Sequence, residues 1–260
     1  MQVLITGASS GIGAATARLL AAEGNTVGIV GRRADRLQEV LDDCRRTAPA
    51  SRSWVADLGD LERAEQIAAE AEAEFGGVDV LVNNAAVPKR LPAAEMTGPI
   101  VEEVMRINFF SPVRMTLRLL PAMLSRRAGT IVNVASMGGR LGIAHESAYC
   151  ASKFALTGWS EALAIDLHGT GVAVRLIQPG PIDTDIWDRP GERPAAIEVP
   201  KEPPEMVARG IADAIAGDRF EHYLPDLKGV VDYKQSDIDG YIAMTAEMVA
   251  PASPGPDEHR

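Results

Sequence analysis

The sequence predicts a single doubly wound α/β domain, in which helices flank both faces of a central parallel sheet. Three observations support this prediction: short apolar runs recur along the chain, amphipathic stretches of helical length separate them, and no repeat interrupts the alternation before residue 180. Short apolar runs of this kind are typical of strands that are covered on both faces. Their alternation with helices is typical of a parallel sheet.

The predicted elements follow one another closely along the first 180 residues. Strands are predicted at the apolar runs 3–6, 27–30, 78–82, 130–135 and 172–177, with a weaker strand at 52–56. Helices are predicted at 13–23, 34–46, 60–75, 99–126 and 147–168.

The composition changes after residue 180. The segment 181–204 mixes prolines with charged residues, which predicts a loop rather than a long regular element. A helix at 205–216, a strand at 221–225 and an amphipathic segment at 236–249 are predicted to follow. We therefore expect one domain over 1–250 and a disordered tail over 251–260.

Charge and cysteine content exclude several classes of protein. The net charge of −10 argues against binding to a nucleic-acid backbone, because such proteins carry basic patches. Two cysteines are too few for a disulfide framework in 260 residues, and the four histidines show no metal-ligand spacing. No signal peptide and no apolar run of ~18 residues is evident. These features predict a soluble cytoplasmic protein without a metal or a membrane anchor.

A glycine-rich turn follows the first strand and opens the first helix. It reads Thr6-Gly7-Ala8-Ser9-Ser10-Gly11-Ile12-Gly13. Glycines let the backbone approach a pyrophosphate closely, and the start of a helix offers unpaired N–H groups and a partial positive charge. This context favours a phosphate-binding turn over the alternative, a tight turn without a ligand.

Three polar residues form a candidate catalytic group. Tyr149 and Lys153 are four residues apart, so a helix presents both on one face. Such a pair could also be an ordinary helix face. Ser136 favours the catalytic interpretation, because it ends a predicted strand where parallel sheets open their ligand sites.

These motifs together resemble the short-chain dehydrogenases/reductases of ordinary length, over about residues 2–184. The resemblance also rests on Asp57-Leu58, Asn83-Asn84-Ala85, Asn108, and Pro179-Gly180 followed by Ile182 and Thr184. Ala86 stands where the family usually has glycine, and a small residue still fits there. The resemblance implies a Rossmann-like fold that binds a nicotinamide dinucleotide.

The resemblance also implies the roles of individual residues. Tyr149 would be the general acid/base and Ser136 would hold the substrate oxygen. Lys153 would bind the nicotinamide ribose and lower the pKa of Tyr149, and Asn108 would complete a proton relay through water. The implied cofactor-binding residues are Gly7, Ser9, Ser10, Gly11, Ile12, Gly13, Arg32, Arg33, Asp57, Leu58, Asn83, Ala85, Tyr149, Lys153, Pro179, Gly180, Ile182 and Thr184.

The end of the second strand predicts the choice of cofactor. Binding of NAD(H) generally uses an acidic residue there, on the ribose hydroxyls. In this chain the strand ends at Gly31 and continues into Arg32-Arg33, whose guanidinium groups suit a 2′-phosphate. The alternative is that both arginines lie in solvent while Asp35 reaches the ribose. The sequence favours NADP(H).

The function predicted is hydride transfer between NADP(H) and a small-molecule carbonyl or secondary alcohol. Three alternatives stay open: the same reaction with NAD(H), another reaction such as dehydration on this scaffold, and a catalytically silent dinucleotide-binding sensor or subunit. The helices at 99–126 and 147–168 carry more apolar residues than a sheet requires, and the family commonly pairs such helices between subunits. A homodimer or homotetramer is therefore expected.

Overall fold

The central sheet contains seven parallel strands within the part of the chain that the computed structural model describes, residues 1–188 and 192–249. The strands are β1 (Gln2–Thr6), β2 (Thr26–Gly31), β3 (Arg52–Val55), β4 (Val80–Asn83), β5 (Gly129–Val134), β6 (Val172–Pro179) and β7 (Glu221–Leu224). Their order across the sheet is β3-β2-β1-β4-β5-β6-β7. This sheet confirms the predicted fold class, including the weaker strand at 52–56. The predicted tail at 251–260 lies outside the described residues.

Helices cover both faces of the sheet. They are α1 (Gly11–Ala22), α2 (Ala34–Arg45), α3 (Leu61–Phe75), α4 (Gly98–Met105), α5 (Ser111–Arg126), α6 (Ser147–Asp166), α7 (Pro204–Ala216), α8 (Lys228–Ser236) and α9 (Ile238–Val249). Alternate residues of β1 show the two layers, because Val3 and Ile5 pack in the core under α1, α2 and α7, whereas Leu4 packs in the core under α3, α5 and α6. No helix in the described ranges combines the length and the apolar character that a membrane crossing requires.

The predicted helix at 99–126 is interrupted, which corrects its continuous boundaries. A π-helical segment, Arg106–Phe110, separates α4 from α5. Pro112 has no N–H to donate to the carbonyl of Asn108, four residues earlier. The N–H of Ser111 reaches back five residues to the carbonyl of Arg106. The helix therefore widens by one residue at the position of Asn108.

Buried amides connect the two middle strands. Asn83 on β4 lies opposite Asn133 on β5, and Asn83 Nδ2 is 2.9 Å from Asn133 Oδ1. Asn83 Nδ2 also donates to Thr116 Oγ1 on α5, and Asn133 Nδ2 donates to Ser160 Oγ on α6. The side chain of Asn83 thus points into the layer between the sheet and these two helices.

Candidate active site

A cavity of about 1280 Å³ opens at the carboxyl ends of the strands. Its walls come from the residues that follow β1 to β6, from the segment between β6 and α7, and from α4, α6, α8 and α9. This edge of a parallel sheet is where doubly wound folds bind ligands.

The glycine-rich turn forms one wall of the cavity. Its closest contacts leave no room for a side chain, so only glycine fits there. Gly7 and Gly11 have positive φ angles of 69° and 55°. A Cβ at Gly7 would lie 2.7 Å from Ala85 Cα, and a Cβ at Gly13 would lie 2.5 Å from the carbonyl oxygen of Gly7. Ser10 at the start of α1 makes no side-chain capping bond, so the first N–H groups of α1 suit a phosphate.

Thr6 joins the glycine-rich turn to the end of β4. Its Oγ1 accepts hydrogen bonds from the backbone N–H groups of Asn84 and Ala85, at 2.9 and 3.0 Å. Asn84 Nδ2 also donates to the carbonyl of Thr6 at 2.8 Å. Asn84 lines the cavity, whereas the side chain of Asn83 does not.

Ser136 and Tyr149 converge beside Gly138. A Cβ at Gly138 would lie 3.3 Å from Tyr149 Cε1 and 3.5 Å from Ser136 Oγ. Ser136 Oγ accepts a hydrogen bond from the N–H of Gly138, and the N–H of Ser136 donates to Gln178 Oε1. The end of β5 and the first turn of α6 therefore bring together two of the three residues of the predicted catalytic group.

Lys153 lies one turn along α6 from Tyr149 and is almost completely buried. Its Nζ donates to the carbonyl of Val134 at 2.9 Å and lies 5.8 Å from the centre of the Tyr149 ring. Burial lowers the pKa of Lys153 to about 7. Burial also raises the pKa of Tyr149, with the Ser136 hydroxyl acting in the opposite direction. This direction differs from the lowered tyrosine pKa that the resemblance implied, because burial outweighs the neighbouring groups.

Asn108 lies behind the cavity rather than in its wall. Its Oδ1 accepts from the N–H of Val87, and its Nδ2 donates to the carbonyl of Val87 and to Ser152 Oγ, at 2.8, 3.0 and 3.0 Å. The side chain therefore holds the segment after β4 against α6. The proton relay through water that the resemblance implied for Asn108 stays a prediction.

Basic residues gather where β2 ends. Arg33 Nη1 is 2.7 Å and Arg36 Nη1 is 2.5 Å from Asp185 Oδ2, and Arg33 Nη2 is 2.5 Å from Ser10 Oγ. Arg32 lies 3.8 Å from a carboxylate oxygen of Asp57.

Asp35, which the sequence analysis considered as a ligand of the ribose, is exposed in the first turn of α2 and lies outside the cavity lining. Among the described residues, the carboxylates that line the cavity near the end of β2 are Asp57 and Asp185, and both lie beside arginines. The sequence indicated Arg32 and Arg33 but not Arg36 or Asp185.

A second ionic cluster lies at the other end of the cavity and was not predicted. The guanidinium of Arg90 is buried and donates to Glu146 Oε1 at 3.2 Å. It also donates to the carbonyls of Ile186, Trp187 and Arg193, and lies 4.9 Å from the centre of the Trp187 ring. Arg90 thus fixes the described parts of the segment between β6 and α7 over the cavity.

The two C-terminal helices add a largely apolar wall near this end. Residues on or just before α8 and α9 that line the cavity are Leu227, Val230, Tyr241, Met244, Thr245 and Met248. The sequence predicted an amphipathic segment at the position of α9 but did not predict α8, whose only buried residue is Val231.

Most of the predicted site residues line this one cavity. They are Gly7, Ser9, Ser10, Gly11, Ile12, Arg32, Arg33, Asp57, Leu58, Ala85, Ser136, Tyr149, Lys153, Pro179, Gly180, Ile182 and Thr184. Gly13, Asn83 and Asn108 lie outside its lining.

Comparison with known proteins identifies the family. The family of short chain dehydrogenases matches residues 1–194. A galactitol 2-dehydrogenase of Agrobacterium fabrum is 35% identical over 208 residues, which cover 75% of this chain and 80% of that protein. A 3-ketodihydrosphingosine reductase of Bacteroides thetaiotaomicron is 36% identical over 187 residues, covering 72% of this chain and 65% of that protein. The chain belongs to the short-chain dehydrogenase/reductase family and is an oxidoreductase of that family.

Solved structures agree with this assignment. A short-chain dehydrogenase/reductase of Burkholderia phymatum in complex with NAD has a TM-score of 0.83 at 26% identity, over 97% of this chain and 96% of that one. A short-chain dehydrogenase of Sphingobium yanoikuyae in complex with NADPH has a TM-score of 0.79 at 25% identity, over 98% of both chains. A nicotinamide dinucleotide is therefore the class of cofactor.

Proposed function

We propose that this chain transfers a hydride between NADP(H) and a small-molecule carbonyl or secondary alcohol, with Tyr149 as the general acid/base. The observation that carries the proposal is the convergence of Ser136, Tyr149 and Lys153 in the cavity that the glycine-rich turn lines. A bound nicotinamide would supply the hydride, which no side chain can provide. The alternative of a catalytically silent dinucleotide-binding protein does not account for this convergence.

The proton chemistry follows from the surroundings of each group. Because burial raises its pKa, the phenol of Tyr149 stays protonated at neutral pH and can donate to a carbonyl oxygen during reduction. Ser136 Oγ accepts from Gly138, which leaves its own O–H to donate to the same oxygen. The bond to Val134 uses one N–H of a protonated Lys153, and the other two suit the hydroxyls of a ribose.

The preference for NADP(H) rests on the charges beside the end of β2. Arg32 and Arg33 line the cavity there, and Arg36 is a third basic residue in its wall. Guanidinium groups form charge-assisted, paired hydrogen bonds with phosphate oxygens. In the absence of a carboxylate directly at the end of β2, these groups favour the phosphorylated cofactor.

We expect Arg32→Ala to weaken the binding of NADPH by about ten- to a hundredfold, because one charge-assisted contact stabilises by about 1.5–3 kcal/mol. The affinity for NADH should change little. Fluorescence titration of both cofactors at one fixed salt concentration measures the effect, and Arg18→Ala is the control because Arg18 pairs with Asp43 outside the cavity lining. Equal affinities of the unmodified protein for NADH and NADPH would contradict the NADP(H) assignment and leave the catalytic proposal standing.

We also propose that the chain forms at least a homodimer. Exposed apolar side chains lie on α5 (Leu117 and Leu124) and on α6 (Phe154 and Ile165), and Ile165 is 75% exposed. Pairing these helices with a second copy would bury this surface. Light scattering at micromolar concentration should give at least twice the mass of one chain, and Ile165→Glu should shift the protein toward the monomer. A monomeric unmodified protein would rule out the dimer.

We also propose that the protein is located in the cytoplasm. Cys44 and Cys150 are free and buried, and they suit a reducing compartment. Labelling of thiols in the unfolded protein, purified without reductant, should find two reactive groups per chain.

A further inference from the structure

Two of the three arginines that we propose for the 2′-phosphate, Arg33 and Arg36, already hold an anion that belongs to the chain itself. Asp185 Oδ2 lies 2.7 Å from Arg33 Nη1 and 2.5 Å from Arg36 Nη1. The two guanidinium groups hold the pKa of the Asp185 carboxyl below its usual range, so the group is ionised at neutral pH. Arg33 reaches Ser10 Oγ with its second terminal nitrogen, which connects this ion pair to the glycine-rich turn.

The ion pairs of Asp185 are exposed enough to exchange. The side chains of Arg33, Arg36 and Asp185 are 41%, 48% and 46% exposed. Ion pairs with this exposure stabilise a protein only weakly, whereas a phosphate bound by paired guanidinium hydrogen bonds is held more strongly. A carboxylate that stayed beside a bound phosphate would repel it. The carboxylate and a 2′-phosphate therefore compete for the same two arginines.

Asp185 also occupies a particular place in the chain. It follows Thr184, whose Cγ2 would lie 2.8 Å from a Cβ at Gly11, so this early part of the segment between β6 and α7 lies against the glycine-rich turn. The carbonyls of the next two residues, Ile186 and Trp187, accept hydrogen bonds from Arg90 at the other end of the cavity. The ion pairs of Asp185 thus link this part of the segment to Arg33 and Arg36, and through Arg33 to Ser10 in the glycine-rich turn.

We propose that Asp185 determines how strongly this protein discriminates between the two nicotinamide dinucleotides, by competing with the 2′-phosphate for Arg33 and Arg36. The inference rests on the proposed use of NADP(H). Binding of the phosphorylated cofactor requires the arginines to exchange the Asp185 carboxylate for phosphate oxygens. NADH carries no 2′-phosphate and leaves the pairs of Asp185 intact.

The test is the affinity of Asp185→Asn for each cofactor, measured by fluorescence titration at fixed ionic strength. We expect NADPH to bind about five- to tenfold more tightly than to the unmodified protein, and NADH to change less than twofold. Asp43→Asn is the matched control, because it removes a partly exposed carboxylate that pairs with Arg18 outside the cavity lining, and both affinities should stay unchanged. Thermal unfolding of each variant verifies that it is folded.

Adding Arg33→Ala to Asp185→Asn should abolish the gain in NADPH affinity, because the competition needs the arginine. Unchanged or weaker NADPH binding by Asp185→Asn would overturn the inference. An equal gain for NADPH and NADH would also overturn it, since the carboxylate would then act on a part that both cofactors share. Failure of the unmodified protein to prefer NADPH is a different result, which contradicts the proposed cofactor instead.

Discussion

Replacing Tyr149 with phenylalanine is expected to lower kcat for carbonyl reduction by about 10²–10⁴-fold, the usual contribution of a positioned general acid. The aromatic ring and its packing beside Gly138 remain, and only the proton donor is lost. The affinity for NADPH should therefore stay within a few-fold of the original. Oxidation of NADPH, followed by its absorbance with a panel of ketones, measures kcat, and fluorescence titration measures the affinity.

Tyr233→Phe is the matched control for this experiment. Tyr233 is an exposed residue on α8 and lies outside the cavity lining, so its replacement should leave kcat unchanged. If Tyr149→Phe kept most of the activity of the unmodified protein, Tyr149 would have no role in proton transfer. If no carbonyl compound were turned over by the unmodified protein while NADPH still bound, the silent dinucleotide-binding alternative would be favoured.

The second large effect is expected from Arg90→Met, which should lower the free energy of unfolding by about 3–5 kcal/mol. Arg90 and Glu146 form a buried ion pair, and removing one partner leaves the other charge in the interior without compensation. The same substitution removes the hydrogen bonds that hold the carbonyls of Ile186, Trp187 and Arg193. KM for the carbonyl substrate should also rise, because these residues cover the cavity.

The stability loss of Arg90→Met should depend on pH. Burial raises the pKa of Glu146, and Arg90 opposes that shift, so the substitution raises the pKa further. A carboxyl group whose pKa is higher in the folded state than in the unfolded state, where it is about 4.3, destabilises the fold increasingly as the pH rises above that value. Urea unfolding should therefore show a larger loss at pH 8 than at pH 5.

Two further variants distinguish the effect of an unpaired buried charge on stability from the effect of replacing any arginine. Adding Glu146→Gln to Arg90→Met should recover part of the stability and remove most of the pH dependence. Arg18→Met breaks a pair that is 46% and 34% exposed, and it should cost less than about 1 kcal/mol. A cost for Arg90→Met no greater than that of Arg18→Met would contradict the importance of the buried pair.

The sequence alone predicts most of the sheet because strands and helices leave local patterns. All seven strands of the described sheet coincide with predicted strands, to within two residues at either end. The break between α4 and α5 was missed because both sides of it continue a helical pattern, and Pro112 is also a common residue in the first turn of a helix. Helix α8 was missed because its composition is mostly polar around a single buried valine.

The residues of the candidate site likewise include some that the sequence predicts and some that it does not. Ser136, Tyr149 and the glycine-rich turn lie in motifs that are contiguous or at a fixed distance in the sequence, and the fold brings them to one cavity. Arg90 and Glu146 are 56 residues apart, and Arg36 and Asp185 are 149 residues apart. Contacts at such separations depend on how the sheet and its loops are assembled, and no local pattern indicates them. The pKa directions of Lys153 and Tyr149 likewise depend on burial, which only the folded chain defines.

The amide pair between Asn83 and Asn133 has a consequence for the alignment of the whole site. If β4 slid by two residues along β5, the same faces would still be buried, but the Asn83 and Asn133 side chains would no longer lie opposite each other and the hydrogen bond between them would be lost. Leaving a buried polar group unpaired costs about 1–3 kcal/mol, so the amide pair favours the observed register over a shift of two residues. Asn84 and Ala85 follow directly after β4, and Ser136 lies two residues after β5. The amide pair therefore helps to fix the position of Asn84 and Ala85, which contact Thr6, relative to Ser136.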